Sequence, residues 1–238
     1  MRPIAIVQHE ALVPPGSIED VLEGAGVDHF IFEAWREKAW PTADDLAGLV
    51  VLGGTMNVDE LDDFPFLRSS RELISQALDK ALPTLGVCLG SQMMARVLGG
   101  DVFRAEPRNA LFSPLEVAEP DDPVIAPFAS GAPVLQFHED TFTVPFDAVP
   151  LATSATTGLA QAFRYGDNAY AIQFHFEVDK DIVRDWCADI GDRSLTEDWN
   201  TSTEQLLAEA DTHVGRQYGA GKELLLRFLQ LTTAAALK

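Results

Sequence analysis

Hydrophobic and polar positions along the first hundred residues follow two periods in turn. "PIAIVQ" (3–8) is a short continuous apolar run, the pattern of a strand buried on both faces. "SIEDVLEGAG" follows, with Ser17 placed to cap a helix, apolar positions at helical spacing, and glycines to end it. "DHFIFE" and "GLVVLGG" (48–54) predict a second and a third strand, the latter closed by two glycines. A helix is predicted over 66–82, where Leu73, Ile74, Ala77, Leu78, Ala81 and Leu82 share one stripe. "TLGV" predicts a fourth strand and "LGSQMMARVLGG" a helix with a glycine stop. This alternation implies an α/β fold: a flavodoxin-like, mostly parallel sheet with helices on both faces.

The pattern changes after residue 100. From about 101 to 175 short strands dominate, "DVFRA", "FSPLEVA", "APVLQFH", "VPLATSA", "LAQAFRY" and "YAIQFHF", separated by proline and glycine turns. They read as a mainly antiparallel excursion from the core. After 178 the sequence reads as helical to its end, with no internal repeat, low-complexity linker or strong domain boundary.

Composition narrows the partners. The 238 residues carry a formal net charge of −20, which repels phosphate backbones and anionic lipid heads, so neither nucleic acid nor membrane is expected. No run of about 18 apolar residues marks a membrane span, and "MRPIAIVQHE" lacks the long apolar region of a signal peptide. Cys88 and Cys187 are too few for a disulfide framework or a cysteine zinc site. The expectation is a reduced, cytoplasmic protein without a metal.

The chemistry collects at strand ends, where open α/β sheets gather functional groups. Gly86-Val87-Cys88-Leu89-Gly90 has the G-x-nucleophile-x-G form of a strand-to-helix elbow, with cysteine at the nucleophile position. Such a turn points the thiol at a helix N-terminus, whose dipole favours negative charge. The Leu89 amide would face an oxyanion, and Gly54, after the third strand, could supply a second donor. His175 and Glu177 are spaced i, i+2, which on an extended strand puts both side chains on one face. The carboxylate could then orient an imidazole that serves Cys88 as base. His138, Glu139 and Asp140 close another strand, as a substrate wall or an ordinary loop. Cys187, beside Trp186 and Ile190, reads as core, and His9, His29 and His213 receive no role.

These residues resemble the class I (triad) glutamine amidotransferases, and more narrowly the stand-alone branch similar to the amidotransferase domain of GMP synthase. Four stretches carry the likeness in the family's order: "VVLGGTMNVDE", "PTLGVCLGSQMMARVLGG", "FHEDTFTVPFDAVPLATSA" and "QAFRYGDNAYAIQFHFEVD", between residues 48 and 179. The resemblance implies a nucleophile at Cys88 with His175 and Glu177 completing a triad. It implies an oxyanion hole at Gly54 and Leu89, and substrate contacts at Gly53, Thr55, Gln92, His138 and Asp140. A γ-glutamyl thioester would form and hydrolyse without a cofactor. The chain is expected to comprise a class I glutamine amidotransferase-like domain (1–190) and a helical C-terminal extension (191–238) packed on the same domain. The sequence departs from the family's habits at Thr55, where proline is common, at Glu139, where glycine is usual, and at Phe176, where proline often follows the histidine. "EPRNALFSPLEV" also lacks the usual glutamate-glycine-aromatic motif. With no synthase domain or Walker-type loop in the chain, two enzymatic readings follow: a glutaminase subunit passing ammonia to a separate synthase, or a γ-glutamyl hydrolase. The alternative is a catalytically silent binding or regulatory module.

Overall fold

Alternation within the buried strands decides the layering. On β1 (Ile4–Gln8), Ile4 and Ile6 join the core on one face of the sheet, while Ala5 and Val7 join the core on the other. β3 (Gly48–Val51) divides likewise, with Val50 on the first side and Leu49 and Val51 on the second. Such strands need a helix on each face. α1 (Ser17–Gly24) covers the first face through Ile18, Val21 and Leu22, and α2 (Phe66–Asp79) covers the second through Leu67, Leu73, Ile74 and Ala77.

The computed structural model describes residues 2–36 and 39–235. With β2 (His29–Glu33), β4 (Thr84–Val87), β6 (Leu115–Val117), β8 (Ala148–Ser154), β9 (Ala160–Tyr165) and β10 (Ala169–Ile172), the main sheet runs β2-β1-β3-β4-β10-β9-β8-β6. β2, β1, β3, β4 and β10 are parallel; β9, β8 and β6 continue the sheet antiparallel. The 2-1-3-4 order is that of a flavodoxin-like doubly wound sheet. α3 (Leu89–Val97) joins α2 on the second face.

The antiparallel region is arranged differently from the sequence expectation. Residues 102–113 form one long strand, β5 (Val102–Ser113), which leaves the main sheet and pairs with β7 (Val134–Phe142) as a separate ribbon. An irregularity between Arg104 and Asn109 lets the long strand bend. The segment "YAIQFHF" is a regular strand only to Ile172 and belongs to the parallel block; His175 forms an isolated bridge to Leu135 of β7. At the C-terminal end α4 (Lys180–Ile190), α5 (Asp192–Glu197) and the 33-residue α6 (Thr203–Ala235) follow one another, and residues 236–238 lie outside the described residues. α6 packs on α1 and α4 and buries Leu224, Leu225 and Phe228 in the first core. No described helix is long and apolar enough to cross a membrane.

Two glycines set the distance between α3 and the sheet. A Cβ on Gly90 would lie 2.1 Å from the Val51 carbonyl oxygen, and one on Gly86 would lie 2.7 Å from the Gly90 backbone. Those are overlaps with main chain, which cannot rotate away. Gly90→Ala should therefore cost at least about 3 kcal/mol of unfolding free energy, read from urea titration. A loss under about 1 kcal/mol would mean that α3 can shift without penalty.

Candidate active site

The site is built where β1, β3, β4 and β10 end. β4 stops at Val87, and Cys88 turns the chain into α3 with φ +50° and ψ −110°, a backbone conformation that side-chain-bearing residues rarely adopt. The Cys88 amide donates to the Ile172 carbonyl at 2.8 Å, tying the elbow to β10. The Cys88 carbonyl accepts from the Ser91 hydroxyl at 2.6 Å and from the Gln92 amide at 3.1 Å. The strained turn is thus held from both sides. Cys187, by contrast, lies in the core of α4, where burial pushes its thiol up.

His175 reaches Cys88 from beyond β10. It is not on a regular strand, yet its amide donates to Leu135 at 2.8 Å, which fixes its backbone. Its Nδ1–H donates to Glu177 Oε1 at 2.6 Å, since a carboxylate only accepts. Both side chains are almost fully buried. Trp186 packs edge-on against the imidazole, with ring centroids 4.7 Å apart. Burial opposes a charged imidazole here, but the Glu177 carboxylate and the neighbouring Cys88 sulfur outweigh it and hold His175 up at about 10. Cys88, His175 and Glu177 therefore form one connected row.

The remaining candidates fall around this row in three ways. Gly54, Thr55 and Gln92 line, with Cys88 and His175, a cavity of about 330 Å³; His138 and Asp140 line it too. Gly53 lies underneath: a Cβ on it would sit 3.4 Å from Cys88 Cβ and 3.5 Å from His175 Cε1. Glu177 stands behind His175, and Leu89 contributes its amide at the start of α3. Among the described residues, neither the Gly54 nor the Leu89 amide donates to a protein acceptor. Gln92 spends its amide hydrogens inside the protein, on the Asp140 carbonyl at 2.9 Å and Gln173 Oε1 at 3.1 Å. His138 is neutral, held down at about 3 by burial, with Nδ1–H on the Asp140 carbonyl at 2.9 Å. Asp140 Oδ2 accepts from Asn57 Nδ2 at 2.6 Å.

His9, given no role from the sequence, has two partners in the structure. Its ring bonds the Gly53 carbonyl through Nδ1 at 3.3 Å and Ser70 Oγ through Nε2 at 3.0 Å. Complete burial lowers it to about 4, so it is neutral and Nδ1 donates. Glu10 accepts from the Thr55 amide at 2.5 Å and from its hydroxyl at 3.1 Å. Two adjacent residues at the end of β1 thus hold the Gly53–Thr55 loop at three points. Sequence reasoning also passed over Asn57 and a wall of Leu12, Phe137, Ile190 and Trp199. Asn57 and Phe137 stand inside the quoted motif stretches but carry no chemistry of their own to single them out, and Ile190 and Trp199 lie beyond the motifs. The one grouping with metal-ligand geometry among the described residues, Glu19, Glu23 and His29, includes no cavity residue.

A parallel α/β sheet carrying a thiol elbow beside a histidine–glutamate pair defines the kind of protein this is. The sequence profile of the family described as glutamine amidotransferase class-I matches residues 22–182, and the chain belongs to that family. It is 30% identical to the glutamine amidotransferase-like protein YfeJ of Salmonella typhimurium, across 76% of this chain and 77% of that protein. The glutamine-hydrolyzing GMP synthase of Symbiobacterium thermophilum is 27% identical across 74% of this chain, which spans only 34% of that longer protein. Its counterpart in Haloarcula marismortui, one subunit of a glutamine-hydrolyzing GMP synthase, is 28% identical over 60% of this chain and 71% of its own length. Among solved structures, a glutamine amidotransferase from Thermotoga maritima superposes with a TM-score of 0.85 at 28% identity, covering 97% of this chain and 99% of that one. Family membership supports hydrolysis of a glutamine amide in general terms.

The buried neutral histidines set an acid limit. His9 and His138 have folded values far below their unfolded value near 6.5, so the unfolded chain takes up protons first on acidification. Their contribution to stability is full above pH 6.5 and is lost as pH falls toward 4 and 3. Each costs roughly 1 kcal/mol per pH unit in that window. Urea midpoints between pH 7 and pH 5 should fall accordingly. His9→Asn, whose Nδ2 can take the place of Nδ1, should flatten that slope by about one histidine's share.

Proposed function

We propose that the protein hydrolyses a γ-glutamyl amide, of glutamine or of a γ-glutamyl compound, through a thioester on Cys88. The observation that carries this reading is the buried row in which Cys88, on its strained elbow, meets His175, which in turn is hydrogen-bonded to Glu177 at 2.6 Å. The sulfur attacks the side-chain carbonyl carbon. The Gly54 and Leu89 amides, free of protein acceptors among the described residues, receive the negative oxygen that forms. The proton given up by the thiol resides on His175, which passes it to the departing nitrogen as the carbon–nitrogen bond breaks. Water, deprotonated by the same imidazole, then cleaves the thioester to glutamate. Glu177 keeps the imidazole in the tautomer this requires. Gln92, Thr55, His138 and Asp140 shape the γ-glutamyl side of the cavity, with Gln92 and His138 acting mainly by bracing the Asp140 segment.

The fate of the nitrogen divides the reading. The name of the Haloarcula relative describes one subunit of its synthase, and a similar pairing would let ammonia formed here pass to a synthase on another chain. A free-standing hydrolase would release its amine to solvent. The silent-module alternative is disfavoured because it leaves a strained cysteine and a buried histidine–glutamate pair without a use.

The deciding experiment is intact mass after incubation with 6-diazo-5-oxo-norleucine. One adduct on the wild type and none on Cys88→Ala is the expected result; an unlabelled wild type whose thiol still reacts with a general alkylating reagent would remove the reading. Glu177→Gln should lower the rate of adduct formation by about 10²–10⁴ while leaving the protein folded.

A further inference from the structure

We infer that the cavity takes γ-glutamyl amides of apolar amines, with Trp186, Ile190 and Trp199 forming a subsite for the leaving amine. The inference rests on Cys88 acting as proposed above and names the substrate class of that site.

The direction of departure comes first. His175 protonates the departing nitrogen, so that nitrogen and its substituent must leave on the imidazole side of the cavity. The rings packed on and beyond that imidazole are aromatic, with Asp189 of α4 also lining the cavity and the Arg108 guanidinium 5.6 Å from the Trp199 ring centroid. Trp186 packs on the His175 ring at 4.7 Å, and Phe137 stands 5.7 Å from Trp186 and 5.0 Å from Trp199, both edge-on. Ile190 and Leu12 complete the wall. The one polar atom of Trp186, Nε1–H, is already bonded to the Leu12 carbonyl at 2.8 Å, so that indole offers a substituent hydrocarbon surface and no unpaired donor. Thr55, Asn57, Glu60, Gln92 and Asp140 supply polar groups to the lining, and Arg104, Glu139 and Asp189 supply charged ones.

An ammonia leaving group gains nothing from such a wall. It is small and strongly hydrated, and the faces of aromatic rings give it no hydrogen-bond acceptor of the strength water supplies. An alkyl or aryl substituent gains by burial, and gains most where the bond to it is breaking. A volume of about 330 Å³ falls within the range of pockets for whole small molecules, with room for more than a carboxamide. The wall's origin points the same way. Trp186, Ile190 and Trp199 lie beyond residue 182, where the family profile ends, so they are supplied by α4 and the turn after α5 rather than by the shared motifs.

The chemistry balances with water as co-reactant. A sulfur–carbon bond forms, the carbon–nitrogen bond breaks with the His175 proton going to nitrogen, and water divides the thioester into glutamate and free thiol. The products are glutamate and the apolar amine.

The test compares kcat/KM for γ-glutamyl methylamide and γ-glutamyl 2-phenylethylamide, whose amines are alkylamines of similar basicity, with glutamine as reference. The wild type should favour the phenylethylamide over the methylamide by roughly tenfold or more. Trp199→Ala should lower that ratio about tenfold, and Trp199→Phe should keep it within about threefold of wild type. The wild-type ratio needs no variant to fold. A ratio of one or less, or a ratio unchanged in Trp199→Ala, overturns the inference. Hydrolysis of glutamine alone, or labelling by 6-diazo-5-oxo-norleucine without turnover of either amide, also overturns it and leaves the thioester reading standing. No labelling and no turnover of any of the three brings down both.

Discussion

The structure depends on how closely the first turn of α3 approaches the ends of β3 and β4. Gly90 sits where any Cβ would run into the Val51 carbonyl, and Gly86 where it would run into Gly90 itself. Only at that separation can Cys88 occupy its left-handed turn, donate its amide to Ile172 and accept from Ser91 and Gln92. A backbone strained by the order of 1–3 kcal/mol persists when its surroundings over-determine it, and here they do so through two main-chain contacts and two glycines. The thiol's position is therefore a consequence of sheet–helix packing. It follows that the elbow and the core on the second face stand or fall together.

The Gly53–Thr55 loop depends for its position on the end of β1. A glycine pair at a strand end is mobile unless gripped, and the grip here comes from His9 on the Gly53 carbonyl and Glu10 on Thr55. Fixing the Gly53 carbonyl fixes the peptide plane whose other end is the Gly54 amide. The departure from proline at position 55 then has a physical sense. Proline has no N–H and could not make the 2.5 Å contact with Glu10, whereas Thr55 presents both an amide and a hydroxyl to one carboxylate. A ring constraint has been exchanged for a two-point hydrogen-bonded one.

Periodicity was enough for the parallel block because each strand there is buried on both faces and each helix carries one stripe. Ile4 and Ile6 against Ala5 and Val7 show the rule at work. It was not enough for residues 102–113, where "DVFRA" reads as a strand ending at 105 and "FSPLEVA" as the next, because the irregularity between Arg104 and Asn109 leaves no period to detect. The Cys88–His175–Glu177 row was legible from two short motifs, although strand alternation is not what brings His175 and Glu177 together. They meet through an irregular turn anchored by Leu135, not on the face of a regular strand. His9 was passed over because its partners, Gly53 and Ser70, stand 44 and 61 residues away, a distance that no local pattern spans. The aromatic wall was hidden for a related reason: Phe137, Trp186 and Trp199 come from three separate segments, β7, α4 and the turn after α5, and no local pattern joins them.

The overall charge and the local chemistry pull in opposite directions, and distance decides between them. A formal charge of −20 disfavours any new negative charge, including the oxyanion of an acyl transfer. Most of that charge lies on exposed side chains, where salt screens interactions beyond about 8 Å. The groups that would favour the oxyanion act at hydrogen-bond range: two amides without protein acceptors among the described residues, the N-terminal end of α3, and a histidine whose proton affinity Glu177 and the neighbouring sulfur raise. At the rim, Arg104 and Arg108 both pair with Glu139, so the residue standing where the family usually has glycine brings two of the chain's 17 cations to one acid near the cavity. The acidic surface therefore acts chiefly on what approaches the protein. A reaction at Cys88 of the kind proposed would be governed by a few dipoles and one buried ion pair, which salt screens little.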